Sequence, residues 1–175
     1  MDHKHFMDLW HAGKKPEGYF DGVDPKLKEL REKLLTTGIG EDAVGAIIGI
    51  QDEVQVLAFS EPWCPDCVIN LTLLEMMAEH SPRVTVRILG REGHEALITS
   101  FNGDGKAYIP TFLTFVNDRL AGVFVEQPEA LKQDVAEGTQ ADRILCMQQY
   151  RNGRYADATV AELLETMTGR NRQWK

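Results

Sequence analysis

The chain has 175 residues, 43 % of them hydrophobic and 26 % charged, the balance of a globular protein with enough chain to bury a core without staples. Its net charge of -8 argues against a nucleic-acid or anionic-membrane partner, because gripping phosphates needs clustered Lys and Arg and the local pair Lys14-Lys15 is too small. Three cysteines make no disulfide framework, Met1 to Met7 lacks the apolar run of a secretory signal, and no stretch approaches the ~20 apolar residues of a membrane span, so a cytoplasmic, reducing location is expected.

The first third reads as helical. Met1 to about Ala12 is a candidate short helix, ended by Gly13 and the turn Pro16-Glu17-Gly18. Asp24-Pro25 has the form of an N-cap followed by proline at the first helical position, with Leu27, Leu30 and Leu34 on one face and Gly38 as the stop. A third helix from about Asp42 to Gln51 is expected to turn Val44, Ile47 and Ile48 inward. Gly38-Ile39-Gly40 lacks the third glycine and the preceding strand of a dinucleotide loop, and counts as a helix stop.

Val54 to Phe59 is a near-continuous apolar run that reads as a buried strand, and Pro65 to about His80 reads as the helix that follows. Between them lies Trp63-Cys64-Pro65-Asp66-Cys67. A Cys-x-x-Cys gap where a strand gives way to a helix is the geometry of a reversible disulfide, a placement that two incidental cysteines would leave unexplained. Cys67, Leu71, Leu74 and Ala78 are expected on one face packed against the sheet, which draws Cys67 inward and leaves Cys64 at the exposed helix start. There a thiolate meets unpaired N–H groups and the positive end of the helix dipole, which lowers its pKa and makes Cys64 the attacking sulfur. Pro65 stiffens the turn without losing a helical hydrogen bond. Asp66 opposes the dipole, since a neighbouring carboxylate disfavours a second negative charge, so the lowering should be moderate.

Val84 to Ile88 alternates as a half-exposed strand, and Glu92 to Phe101 is read as a helix with Leu97, Ile98 and Phe101 inward. Asn102-Gly103-Asp104-Gly105-Lys106 lacks the downstream ligands of a calcium loop and reads as a turn. Phe112 to Val116, the turn Asn117-Asp118-Arg119 and Leu120 to Val125 make an antiparallel hairpin. Ala130 to about Tyr150, broken near Gly138, and Ala156 to Thr168, with Val160, Leu163, Leu164 and Met167 inward, complete the chain as helices.

WCPDC after a buried strand, taken with Ile109-Pro110-Thr111 before the strand Phe112 to Val116, resembles the thioredoxin superfamily over about Val54 to Gln127. The pentapeptide is most similar to that of the cytosolic thioredoxin-related proteins that carry WCPDC; ordinary thioredoxins carry WCGPC. The resemblance implies an α/β fold, a thioredoxin-like mixed sheet flanked by helices, with residues 1–53 as an N-terminal helical extension packed on a thioredoxin-like domain of residues 54–175. It also implies a cis bond at Pro110, beside the cysteines, that turns the Ile109 backbone outward as an edge for an extended partner chain. Two positions depart from the family pattern. Ala58 stands where thioredoxins place a buried Asp that accepts a proton, which leaves Asp66, ahead of Glu61, as the candidate acceptor. Glu126 is the nearest match to a glycine that lets substrate approach, and an acid there narrows the choice of partner.

The reading is of a thiol-disulfide oxidoreductase in which Cys64 attacks, Cys67 resolves, Asp66 assists with protons, and Trp63, Ile109 and Pro110 meet the substrate. Trp63 is expected to shield the pair and offer an apolar contact. Expected partners are a disulfide-containing protein or a small disulfide, with a thiol reductase or low-molecular-weight thiol as electron donor, and no metal or organic cofactor. The rival is a thioredoxin-like adaptor or redox-sensing binding module without disulfide turnover. Zinc on Cys64 and Cys67 would need ligands from Cys146, His80 or His94, none at ligand spacing, and would leave Pro110 unexplained. Cys146, between Leu145 and Met147, reads as a buried hydrophobe, and Met1-Asp2-His3 as a chance match to an amino-terminal copper pattern.

Overall fold

A computed structural model of the protein describes residues 3–169. Three helices precede the first strand: α1 (His3–Ala12), α2 (Pro25–Thr37) and α3 (Glu41–Ile48). Helix α2 starts and stops on the predicted signals, with the Asp24 carboxylate accepting from the Lys26 N–H at 2.8 Å and Gly38 taking φ 74° while its N–H donates to the Leu34 carbonyl. Helix α3 corrects one expectation. Ile47 is buried but its neighbour Ile48 is 62 % exposed, because adjacent residues on a helix diverge by about 100° and Ile50, past the helix end, takes the inward place. Of the Met1-Asp2-His3 pattern, the first two residues lie outside the described residues.

The remaining elements alternate: β1 (Val54–Phe59), α4 (Pro65–Glu79), β2 (Val84–Leu89), α5 (Glu95–Ser100), β3 (Thr111–Val116), β4 (Arg119–Val125), α6 (Glu129–Glu137), α7 (Gln140–Arg151) and α8 (Ala156–Met167). Helix α5 is shorter than the predicted Glu92 to Phe101, since Gly93 at φ 79° turns the chain before the helix can begin; Ile98 and Phe101 are buried as expected. Asn117 and Asp118, at φ 46° and 65°, form the two-residue hairpin turn, so that Arg119 already pairs with Val116. The predicted break near Gly138 separates α6 from α7, which opens on a capping box between Thr139 and Asp142.

The sheet has the order β2-β1-β3-β4, with β1 and β2 parallel and the other neighbours antiparallel. It is the mixed sheet flanked by helices that the resemblance implies. Strand side chains alternate between two cores. Val54, Val56 and Ala58 join Val84, Val86, Phe112 and Phe124 in the larger core, covered by α2, α4 and α8. Leu57 and Phe59 join Leu113, Phe115, Ile98 and Phe101 in the smaller one, which also receives Phe6 and Trp10 from α1 and both motif cysteines. The Phe6 ring stacks on Phe115 with centroids 3.6 Å apart. Lys14 exchanges both backbone hydrogen bonds with Ile88, extending the β2 edge by one bridge and occupying donors and acceptors that an open edge would expose.

Candidate active site

Strand β1 ends at Phe59, and Ser60, Glu61, Pro62 and Trp63 carry the chain to Cys64, the N-cap of α4, with Pro65 in the first turn. The two cysteines stand as free thiols, not joined in a disulfide. Cys67 is fully buried, as its helical position predicts, but in the smaller core, whereas Leu71 and Leu74 belong to the larger one and Ala78 is only half-buried. The single apolar face predicted for Cys67, Leu71, Leu74 and Ala78 is therefore corrected. Helix α4 is enclosed by the sheet, α2 and α8, and residues 67–74 are buried without interruption. The expectation of an exposed Cys64 is corrected as well: it is 9 % exposed, packed with Ile109, and its thiol donates to the Ile109 carbonyl at 3.7 Å. Trp63 is the part of the motif that faces solvent, at 64 % exposure.

The two thiols are electrostatically unlike. Cys64 is lowered below the usual thiol range, first because the Cys67 thiol donates to its sulfur and further because the Cys67 and Asp66 N–H groups at the helix start do so; burial and the Asp66 charge work against this. Cys67 is pushed far up, by burial first and then by its neighbour Cys64. The Glu61 N–H, pointing at Cys67 Sγ from 3.4 Å, and the Ser60 hydroxyl act in the opposite sense and favour its thiolate. Asp66 is itself raised, by burial, while the Gln127 side-chain amide donating to Oδ2 at 2.8 Å and the Arg151 charge hold it down.

The Ile109-Pro110 bond is cis. Its loop is tied to α4 through Glu126, which the sequence reading marks, and through Asn70 and Tyr150, which it does not single out. The Pro110 carbonyl accepts from the Glu126 N–H at 2.7 Å, and the Glu126 carbonyl accepts from the Asn70 amide at 2.8 Å. Asn70, fully buried in α4, also donates to the Tyr150 hydroxyl of α7 at 2.9 Å. A polar side chain inside the apolar run Val68-Ile69-Asn70-Leu71 is the signal that marks it. Glu126 sits at φ 64°, a conformation that favours glycine, and burial together with the Asp66 charge raises its carboxyl. Glu126 and Asp66 thus act on each other electrostatically, with Asp66 beside Cys64 in the motif.

A surface cavity of about 960 Å³, lined by Trp10, Arg31, Glu75 and Arg87 among others, contains neither cysteine. Among the described residues, no three His, Cys, Asp or Glu side chains come together as a metal site, and no helix is long and apolar enough to cross a membrane. Cys146 is half-buried and packs against the larger core.

A thioredoxin family model matches residues 14–142 of the chain. Among solved structures, a protein of unknown function from Pseudomonas aeruginosa superposes with a TM-score of 0.79 at 23 % sequence identity, covering 94 % of this chain and 98 % of that one. An HIV epitope-scaffold gives a TM-score of 0.76 at 22 % identity, with the same shares of 94 % and 98 %. At such identities the likeness is one of fold. No curated protein matches the chain.

Proposed function

The chain belongs to the thioredoxin-like superfamily, and from that premise we propose that it is a thiol-disulfide oxidoreductase working through Cys64 and Cys67. The observation that carries this reading is the asymmetry of the pair: Cys64, at the start of α4, is disposed to ionise, and Cys67, fully buried one turn on, is disposed to keep its proton. Cys64 thiolate attacks a substrate disulfide, a Cys64–substrate S–S bond forms, and the displaced substrate sulfur leaves with the electron pair and takes up a proton. Cys67, once deprotonated, attacks Cys64 Sγ; the Cys64–Cys67 bond forms and the second substrate sulfur is released. The substrate gains two electrons and two protons, and the protein is left oxidised. A thiol reductase or a low-molecular-weight thiol restores the dithiol in a reducing compartment, the cytoplasm.

Trp63 offers substrate an exposed apolar ring, the Ile109 backbone beside Pro110 aligns its chain, and Glu126 with Asp66 favours partners whose disulfide lies near a cationic residue. The test is catalysis: with dithiothreitol as donor, the protein should accelerate reduction of insulin disulfides over many turnovers, and Cys64→Ser should abolish this. The near-complete cover of Cys64 favours a second reading, a thioredoxin-like adaptor that forms its disulfide without passing electrons on. Oxidation of the pair without turnover would select the adaptor. Capture of partners from cell extract on a Cys67→Ser variant would then identify the disulfide proteins served.

A further inference from the structure

Cys67 is fully buried, and burial disfavours its thiolate, yet the resolving step requires that thiolate. Its proton needs a way out. Asp66 is engaged by Gln127, and its charge is felt at Cys64. A different polar path leaves Cys67 on the opposite side of the motif. Ser60, 2 % exposed, directly follows β1 and is anchored by its N–H to the Leu89 carbonyl at 2.9 Å; the N–H of the next residue, Glu61, points at Cys67 Sγ from 3.4 Å, and the Ser60 hydroxyl favours the Cys67 thiolate. Ser60 Oγ lies 2.8 Å from the hydroxyl of Tyr19, a half-buried residue in the turn between α1 and α2. Tyr19 and Ser60 both line a surface cavity of about 390 Å³ whose wall also carries Lys15, Glu17 and Glu61.

We propose that Ser60 and Tyr19 form a hydroxyl relay that carries the Cys67 proton to this cavity during resolution; the proposal rests on the oxidoreductase reading and adds to it. The S–H proton passes to Ser60 Oγ, the Ser60 proton to Tyr19 Oη, and the Tyr19 proton to water in the cavity. Each hydroxyl ends neutral, and Cys67 is left as a thiolate facing donors from Ser60 and the Glu61 N–H. That thiolate attacks Cys64 Sγ, the Cys64–substrate bond breaks, and the departing sulfur takes the electron pair and a proton from solvent. Burial of Tyr19 keeps its hydroxyl protonated, as suits a relay in which no phenolate accumulates. The N-terminal segment thereby supplies a group to the site.

A chromogenic aromatic disulfide separates the two steps. In a Cys146→Ser background, one thiolate is released when Cys64 attacks and a second when Cys67 resolves, and Cys67→Ser stops after the first. Near pH 7, Tyr19→Phe and Ser60→Ala should leave the first phase unchanged and slow the second about a hundredfold, the low end for a lost proton-transfer group. The deficit should shrink as pH rises and hydroxide removes the Cys67 proton directly, and Ser60→Thr should restore the second phase. A second phase unchanged in Tyr19→Phe and in Ser60→Ala would overturn the relay, and so would equal slowing of both phases at every pH. If Ser60→Ala fails to fold, Tyr19→Phe, which alters the half-buried partner, decides alone. Absence of the first phase in the parent protein would instead remove the oxidoreductase reading itself.

Discussion

Asn70→Ala probes the tie between the motif helix and the loop that faces it. The side chain is fully buried and donates to the Glu126 carbonyl at 2.8 Å and the Tyr150 hydroxyl at 2.9 Å, while its own Oδ1 has no partner. A buried acceptor stripped of its donor costs about 1–3 kcal/mol. The Glu126 carbonyl belongs to a half-buried residue and takes the lower end, Tyr150 lies in the core and takes the upper, and together they amount to roughly 3–4 kcal/mol. Removing the unpartnered Oδ1 offsets about 1 kcal/mol of this. The net loss should be about 2–3 kcal/mol, a fall in Tm of roughly 4–12 °C at about 2–4 °C per kcal/mol for a chain of this size. Urea and thermal unfolding of the reduced protein measure it. Tyr150→Phe, which removes one of the two acceptors, should cost about 1 kcal/mol, and the double variant should depart from additivity by at least about 0.5 kcal/mol. An Asn70→Ala protein within about 0.5 kcal/mol of the parent, with an additive double variant, would refute the reasoning.

With limiting iodoacetamide at neutral pH, Cys64 should be alkylated well before Cys67 or Cys146; Cys67→Ala should slow that labelling by removing the thiol donor while Cys67→Ser preserves it, and labelling that begins at Cys67 would reverse the roles. Asp66→Asn should lower the Cys64 pKa further, since it removes a neighbouring negative charge, and an unchanged thiol titration would mean that the carboxylate is screened from the sulfur. The same substitution has a stability signature. The folded pKa of Asp66 is raised, so its contribution is fully present below the unfolded value near 3.9 and is lost as pH rises through the folded value; Asp66→Asn should abolish that decline in pH-dependent unfolding curves. Gly122→Ala would place a methyl 2.7 Å from Thr166 Cβ and 2.8 Å from its Cα, forcing β4 and α8 apart at a cost of about 1–3 kcal/mol, whereas an unchanged urea midpoint would show that α8 yields freely.

Local chemistry carried much of this protein into view before any tertiary contact was known. The Asp24-Pro25 start and Gly38 stop of α2, the apolar run of β1 and the strand-to-helix placement of the cysteines each depend on neighbours a few residues away, and each stands in the fold as the sequence implied; the cis bond at Pro110 stands as the family resemblance implied. Inward and outward assignments were less secure where two apolar residues competed, as for Ile47 and Ile48, or where an element was enclosed on every side, as for α4, whose unbroken burial erases the periodicity that would mark one face. Nothing local could reveal the cover that the Ile109 loop places on Cys64, the Asn70 bridge to Glu126 and Tyr150, or the approach of Tyr19 to Ser60. Those contacts join residues 41 to 80 positions apart, and their partners are ordinary Ser, Tyr, Asn and carbonyl groups that become informative only when folding removes the water that would otherwise satisfy them.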